Sequence, residues 1–237
     1  MSITKNEIKL IRSLAQKKYR LREQLFVVEG IKGIVEFLDS DFELHQLYST
    51  KDVFEIESVL ISETELKRIS SLKSPNTALA VFKIPEVPSI VNDGLIMALD
   101  DVRDPGNLGT IIRLCDWFGI EQLICSKATV DCFNQKVVQA TMGSLTRVNL
   151  FYLDLDHFIE NTTLPVFGTF MDGKNIYKEA LPKEGIIVMG NEANGISNQI
   201  EKLVNHRIGI PRFGKLESTE SLNVATAAAI VLSAFKA

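Results

Sequence analysis

The chain has 237 residues, 46% of them apolar and 24% charged, with a formal net charge of −4. That is enough chain to bury a real core as one large domain or two small ones, and the acidic balance argues against an indiscriminate nucleic-acid binder while leaving room for a local basic patch. No apolar run is long enough to span a bilayer, and the opening "MSITKNEIKLIRS" lacks a signal-peptide core, so a cytoplasmic protein away from membranes is expected. Cys115, Cys125 and Cys132 fit neither a disulfide framework nor a CxxC pattern; they read as free thiols, and no metal site is expected.

Thr4 and Glu7 form a capping-box pattern ahead of Ile8, Ile11 and Leu14, which recur at helical spacing. "KLIRSLAQKKYRLR", residues 9–22, is rich in lysine and arginine, and charge alone reads it as a solvated helix face. "QLFVVEG" reads as a strand, "IKGIVEFLDS" as a helix with Ile34, Val35, Phe37 and Leu38 on one face, and "FELHQLYST" as a second strand. A helix capped by Ser62 and Glu65 and a strand, "NTALAVFKI", complete a small α/β domain over residues 1–84. Two prolines mark a linker at 85–93.

In residues 94–237 the runs "LIMALD", "QLICS", "LPVFGTF", "GIIVMG" and "HRIGI" are short and continuously apolar. Strands of that kind suit a mostly parallel sheet covered on both faces. The chain closes on an alanine-rich helix, "SLNVATAAAIVLSAFKA".

Ligands of open parallel sheets bind outside the carboxyl ends of the strands, and three strand-end loops carry unusual polar residues. In "DDVRDPGNLGTIIRLCDWFG", Asp104-Pro105-Gly106 reads as a tight turn before a helix that buries Ile111, Leu114, Cys115 and Phe118. Arg113 falls off that face, and Asp100 and Asp101 read as turn carboxylates rather than metal ligands. "MGNEANGIS", residues 189–197, sets Asn191, Glu192 and Asn194 between two glycines without the lysine of a phosphate loop, and taken alone could equally be a plain turn. In "IPRFGKLESTESLNV", Ser221 and Asn223 stand at a helix start, where capping is the ordinary explanation. "GTFMDGKN" has the Gly-x4-Gly-Lys spacing of a P-loop, but Asn175 replaces the magnesium-holding hydroxyl and the following "IYKEALPKEG" makes a poor helix around Pro182, so a P-loop is rejected.

Together the three loops resemble the SpoU/TrmH family of RNA ribose 2′-O-methyltransferases in the SPOUT superfamily: "DPGNLGTIIR", "VMGNEANGIS" and "IPRFG…ESLNVATAAAI" occur in order at family-like separations. The resemblance covers residues 94–237, and more loosely 1–84, where "LFVVEGIKGIVEFL" resembles the family's RNA substrate-binding domain. It implies S-adenosylmethionine as methyl donor, a trefoil knot at the C-terminus, a homodimer whose sites draw on both copies, and RNA as substrate, ribosomal or transfer RNA, with the attached N-terminal domain favouring ribosomal RNA. By motif position it implies Arg113, Asn107, Glu192, Ser221 and Asn223 as catalytic residues. It puts the donor on Thr169, Gly190, Ile210 and Leu222. The six residues "KLESTE" make the third loop longer than the family's usual spacing. A non-catalytic RNA-binding or ribosome-assembly factor with the same fold is the alternative, disfavoured because the motif residues are intact. A base-directed methyltransferase would want a carboxylate beside the base.

Overall fold

The computed structural model describes residues 3–75, 77–214 and 221–237. In chain order its regular elements are α1 (Lys5–Ser13), α2 (Lys17–Glu23), β1 (Leu25–Glu29), α3 (Ile31–Leu38), β2 (Leu44–Ser49), β3 (Val59–Leu60), α4 (Glu63–Ile69) and β4 (Ala78–Lys83). They continue with β5 (Leu95–Leu99), α5 (Pro105–Trp117), β6 (Gln122–Ser126), α6 (Gln135–Thr141), β7 (Asn149–Leu153), α7 (Leu155–Glu160) and β8 (Val166–Asn175). The last are β9 (Gly185–Met189), α8 (Asn198–Glu201), β10 (His206–Gly209) and α9 (Val224–Lys236). None of the described helices is long and apolar enough to cross a membrane.

Contacts divide the chain into two compact units: residues 1–86 with 131–146, and residues 87–130 with 147–237. The first unit is a four-stranded sheet in the order β1-β4-β2-β3, antiparallel except for the β2–β3 pair. Both expected capping boxes form: Glu7 N–H donates to Thr4 Oγ1 at 3.3 Å and Glu65 N–H to Ser62 Oγ at 3.2 Å, with each glutamate reaching back to the cap. One core joins α1 and α4 to the sheet through Ile8, Ile11, Leu66, Ile69, Leu79 and Val81. On the other side Phe26 meets the rings of Phe37, Phe42, Phe82 and Phe133 at centroid distances of 4.7–6.1 Å.

Phe133 comes from residues 131–146, a return excursion with no counterpart in a linear division at 85–93. Its other anchor corrects the reading of residues 9–22 as a wholly solvated face. Arg20 is only 2% exposed, and its Nε donates to Asp131 Oδ2 at 3.0 Å. The same guanidinium satisfies the Leu14 and Ala15 carbonyls where the basic stretch breaks between α1 and α2. A buried arginine needs such partners, and its main partner lies 111 residues away in sequence.

The second unit is a six-stranded sheet, all parallel, in the order β10-β8-β9-β5-β6-β7. From β5 the chain runs outward through β6 and β7, then returns beyond β5 for the remaining strands. Strand order therefore reverses beside β5 and β9, where parallel sheets open a crevice at their carboxyl ends. Every residue of β5 and β9 is buried, as strands covered on both faces require. β7, "NLFYL", was not anticipated from sequence.

β8 is longer than the expected "LPVFGTF" and absorbs the P-loop mimic whole: residues 168–175 are strand, not a phosphate loop. Its ladder with β10 jumps, Arg207 pairing with Gly168 and Ile208 with Lys174, so residues 169–173 bulge out. The two backbones nearly touch there: a Cβ on Gly173 would sit 2.3 Å from the Ile208 carbonyl carbon.

Candidate active site

The loops after the central strands β5 and β9 and after the edge strand β10 converge at the carboxyl end of the second unit's sheet. After β5, Asp101 turns the chain with φ +60° and donates its N–H to Ser126 Oγ at 2.9 Å. The expected Asp-Pro-Gly turn is the first turn of α5 itself. Asp104 is the N-cap, accepting from Asn107 N–H at 2.8 Å, and Pro105 stands at the first helical position, where its missing N–H costs nothing. Ile111 and Cys115 are buried on α5 as expected, with Leu108 and Ile112 beside them, whereas Leu114 and Phe118 are half-buried. Burial pushes the Cys115 thiol up to about 12, with Asp116 adding to it.

The loop after β9 folds back on itself. Asn191 and Gly195 exchange both backbone hydrogen bonds at 2.9 Å, while Asn191 Oδ1 accepts from the Ala193 and Asn194 amides. Gly195 has φ +68°, and a Cβ on Gly190 would lie 2.1 Å from the Gly195 carbonyl carbon. Gly190 is thus the only residue type that lets the hairpin close. Two bonds staple this loop to the one after β5: Ser197 N–H donates to Asp100 Oδ2, and Asn191 Nδ2 to the Asp101 carbonyl, both at 2.7 Å. Asp100 and Asp101 therefore act as loop fasteners, Asp101 also pairing with Arg103.

A chain of side-chain hydrogen bonds then joins all three loops. Asn107 Nδ2 donates to Glu192 Oε1 at 3.0 Å, and Asn223 Nδ2 donates to Asn107 Oδ1 at 2.9 Å. Glu192 also faces the Arg103 and Asp104 amides at 3.5 and 3.4 Å, at the start of α5, where a helix favours negative charge. Asn223 uses its other atom to cap α9, accepting from the Ala225 and Thr226 amides. Capping is therefore part of its role but not all of it, and Ser221, two residues earlier, is not the cap.

Beside this network lies a cavity of about 890 Å³, within the range of small-molecule sites. Its walls include Thr169, Gly190, Ile210, Leu222 and Ser221, and Glu192 lies on its rim. Thr169 donates to the Val188 carbonyl at 3.1 Å, so its hydroxyl faces the cavity as an acceptor only. Sequence reasoning missed Phe170, Met171, Arg212 and Phe213 in the lining. Phe170 is held from behind: the Arg207 guanidinium carbon lies 3.6 Å from its ring centroid. Arg207 also pairs with Asp172 at 2.7 Å and with Glu201, which hold its guanidinium firmly charged, and its hydrogen bond in turn pulls the Asp172 carboxyl below its ordinary range. No local sequence signal announces that clamp, because it joins two strands across the bulge in β8.

Arg113 stands apart. It is exposed on α5, does not line the cavity, and makes no hydrogen bond or ion pair with another described residue. Four residues on, Trp117 is 83% exposed. The segment "KLESTE", residues 215–220, where the third loop is longer than usual, lies outside the described residues.

The cavity suits a nucleoside with a cationic centre. Among the described residues its walls offer backbone amides and carbonyls, apolar side chains, the Asn191 and Asn194 amides, the Glu192 carboxylate and the Arg212 guanidinium.

A family model described as the SpoU rRNA Methylase family matches residues 94–233, and one described as an MRM3-like substrate binding domain matches residues 5–80. The chain is similar to the 23S rRNA (guanosine(2553)-2′-O)-methyltransferase RlmP of Bacillus subtilis (strain 168), being 28% identical over 98% of this chain and 96% of that protein. Among solved structures it resembles a TrmH-family RNA methyltransferase from Porphyromonas gingivalis, 40% identical with a TM-score of 0.88 over 98% of each chain. It also resembles an AdoMet-bound rRNA methyltransferase from Sinorhizobium meliloti, 29% identical with a TM-score of 0.87 over 100% of this chain and 97% of that one.

Proposed function

The chain belongs to the SpoU rRNA methylase family, and on that premise we infer that it transfers a methyl group from S-adenosylmethionine to a ribose 2′-hydroxyl of ribosomal RNA. The observation that carries this reading is the hydrogen-bonded chain Glu192–Asn107–Asn223, with Glu192 in the lining of the cavity. S-adenosylmethionine, when bound, supplies an electrophilic methyl on a sulfonium. The ribose oxygen would form the new O–C bond as the C–S bond breaks, releasing S-adenosylhomocysteine, and the hydroxyl proton would pass to solvent water.

The residues of this chain have three tasks. Gly190, Ile210 and Leu222 line the donor cavity through backbone and apolar contact, with Thr169 toward the adenosine. Glu192 and Asn107 hold the three loops in one geometry around the donor and ribose, and Asn223 and Ser221 orient the nucleotide. A ribose hydroxyl is a poor nucleophile, and guanidinium groups stay protonated in proteins. Arg113 therefore acts by stabilising the developing charge on the 2′-oxygen and by contacting an RNA phosphate.

We further propose a two-fold homodimer in which α5 of one copy brings Arg113 to the site of the other. The support is the exposed face that Arg113 shares with Trp117, whose indole is 83% exposed. A C-terminal trefoil knot is proposed as well. Ordinary chains avoid threading, and what favours it here is the close backbone passage of β10 over the bulge of β8. Residues 1–84 serve as the RNA-gripping part and 94–237 as the methyl-transferring part, joined at 85–93, in the cytoplasm.

The test is methyl transfer from labelled S-adenosylmethionine to separated ribosomal and transfer RNA pools from cells lacking the protein. Label in ribosomal RNA at a ribose 2′-O position is expected. Label on a base, or none despite intact RNA pools, overturns the reading.

A further inference from the structure

Charge is distributed very unevenly along this acidic chain. Residues 5–22 hold seven of its 26 lysines and arginines but only one of its 30 acidic residues. The structure turns that run into a surface. On α1, Lys5, Lys9 and Arg12 fall at i, i+4 and i+7, all exposed, opposite the buried Ile8 and Ile11. On α2, Lys17, Lys18 and Arg22 are exposed, and Lys18 and Arg22 gather around the Tyr19 ring at 4.8 and 4.9 Å from its centroid.

The nearby acids leave the charge of α1 standing. Glu7 is occupied by the Thr4 cap and the Tyr48 hydroxyl, and Glu23 pairs with Arg22. Lys5, Lys9 and Arg12 join no ion pair among the described residues. The elbow between the two helices is also fixed. Arg20 turns inward, donates to the Leu14 carbonyl at 2.7 Å and the Ala15 carbonyl at 3.1 Å, and is held by Asp131. One cation of the seven thus pins the backbone that presents the other six.

We infer that the exposed face of the α1–α2 elbow is a docking surface for the phosphate backbone of the RNA substrate. The inference rests on the RNA reading above and gives it a location. A row of cations with few groups suited to reading base edges grips backbone charge and sets affinity rather than sequence choice. The Tyr19 ring is flanked by its own cations and does not offer a free stacking platform.

The experiment compares the full-length wild type with the triple variant Lys5→Gln/Lys9→Gln/Arg12→Gln and with a control of equal charge change, Lys127→Gln/Lys178→Gln/Lys202→Gln. Binding to a transcript of large-subunit ribosomal RNA is measured across a salt series. Each phosphate contact contributes about 0.7 to the log–log salt slope on single strands, so the elbow variant should lose about two units of slope. Its donor affinity, and its turnover at saturating RNA, should stay at the wild-type level, and the control should keep the wild-type slope. An unchanged slope in the elbow variant, or an equal loss in the control, overturns the docking surface while wild-type methyl transfer leaves the parent reading standing. Loss of binding to anionic phosphatidylserine vesicles with RNA binding intact would assign the face to a membrane and overturn it too. A wild type that neither binds nor methylates RNA overturns both.

Discussion

The start of α5 and its middle behave differently, although Asn107 and Arg113 lie within two turns of one helix. At its start, Asn107 is bonded to Glu192 and Asn223, Asp104 caps the helix, and both flanking loops are stapled to one another. Farther along, Arg113 faces outward with no partner among the described residues. The first arrangement is finished within one chain, and its rigidity comes from hydrogen bonds between loops whose strands are fully buried. The second is a charge presented to something else. The difference separates what a single copy builds, a cavity with hydrogen-bonded walls, from what it leaves open, the surroundings of the Arg113 charge that the proposed function sets at the ribose oxygen.

The sharpest break of the finished end is Gly190→Ala. The new Cβ would meet backbone rather than a movable side chain, 2.1 Å from the Gly195 carbonyl carbon, so the hairpin has to open. Donor binding, followed by calorimetry, should be lost altogether, with methyl transfer lost alongside it. Full donor affinity in this variant would mean that the hairpin does not shape the cavity.

Arg113→Ala attacks the open part. Turnover should fall by about 10²–10³-fold, the usual cost of removing a group that stabilises developing charge. Donor affinity should stay within about twofold, because Arg113 is outside the cavity lining. A donor affinity that falls with turnover would move Arg113 into the donor site.

Asn223 sharpens the contrast, because it caps α9 and also donates to Asn107. Asn223→Ala should destabilise by about 1 kcal/mol through the lost cap. Asn223→Asp keeps the capping oxygen and replaces the donor by a second acceptor beside the Glu192–Asn107 pair. Thermal unfolding should recover in the Asp variant while turnover does not. Recovery of both would reduce Asn223 to a cap.

The smallest effect lies in the first unit. The Thr4 hydroxyl and amide hold the Glu7 carboxyl below its ordinary range, with a further bond from Tyr48. A carboxyl depressed on folding adds stability above its unfolded titration, and that contribution disappears as pH falls through the folded value. The stability advantage of wild type over Glu7→Gln should therefore be full near neutrality and vanish in acid, as read by denaturant melts. A constant difference across pH would contradict the role of the charge.

Much of this was legible in the sequence, for reasons that are local. The capping boxes at Thr4 and Ser62, the buried strands "LIMAL" and "GIIVM", and the rejection of "GTFMDGKN" as a phosphate loop each depend on a few neighbouring residues. Of the residues the loop motifs single out, Thr169, Gly190, Glu192, Ile210, Ser221 and Leu222 line the cavity, Asn107 and Asn223 bond to Glu192 or to each other beside it, and Arg113 stands apart. What escaped depends on partners far away along the chain. Arg20 reads as one more surface cation until Asp131 arrives from the excursion, and Phe170 reads as part of a strand until Arg207 stacks on it across the bulge. Strand β7 escaped because its ends carry Asn149 and two half-buried residues, which dilute the apolar pattern.

The comparison of the start of α5 with its middle is tested most directly by mixing two inactive chains. One carries Arg113→Ala with its cavity intact. The other carries Leu222→Arg, a change at a half-exposed cavity residue, with Arg113 intact. If a second copy completes the site, co-assembled chains contain some sites with both an intact cavity and an intact arginine, and methyl transfer should return to about a quarter of the wild-type rate. If the mixture stays as inactive as its components while mixed dimers are present, Arg113 serves the cavity of its own chain, and the account of an open part completed by a partner is wrong.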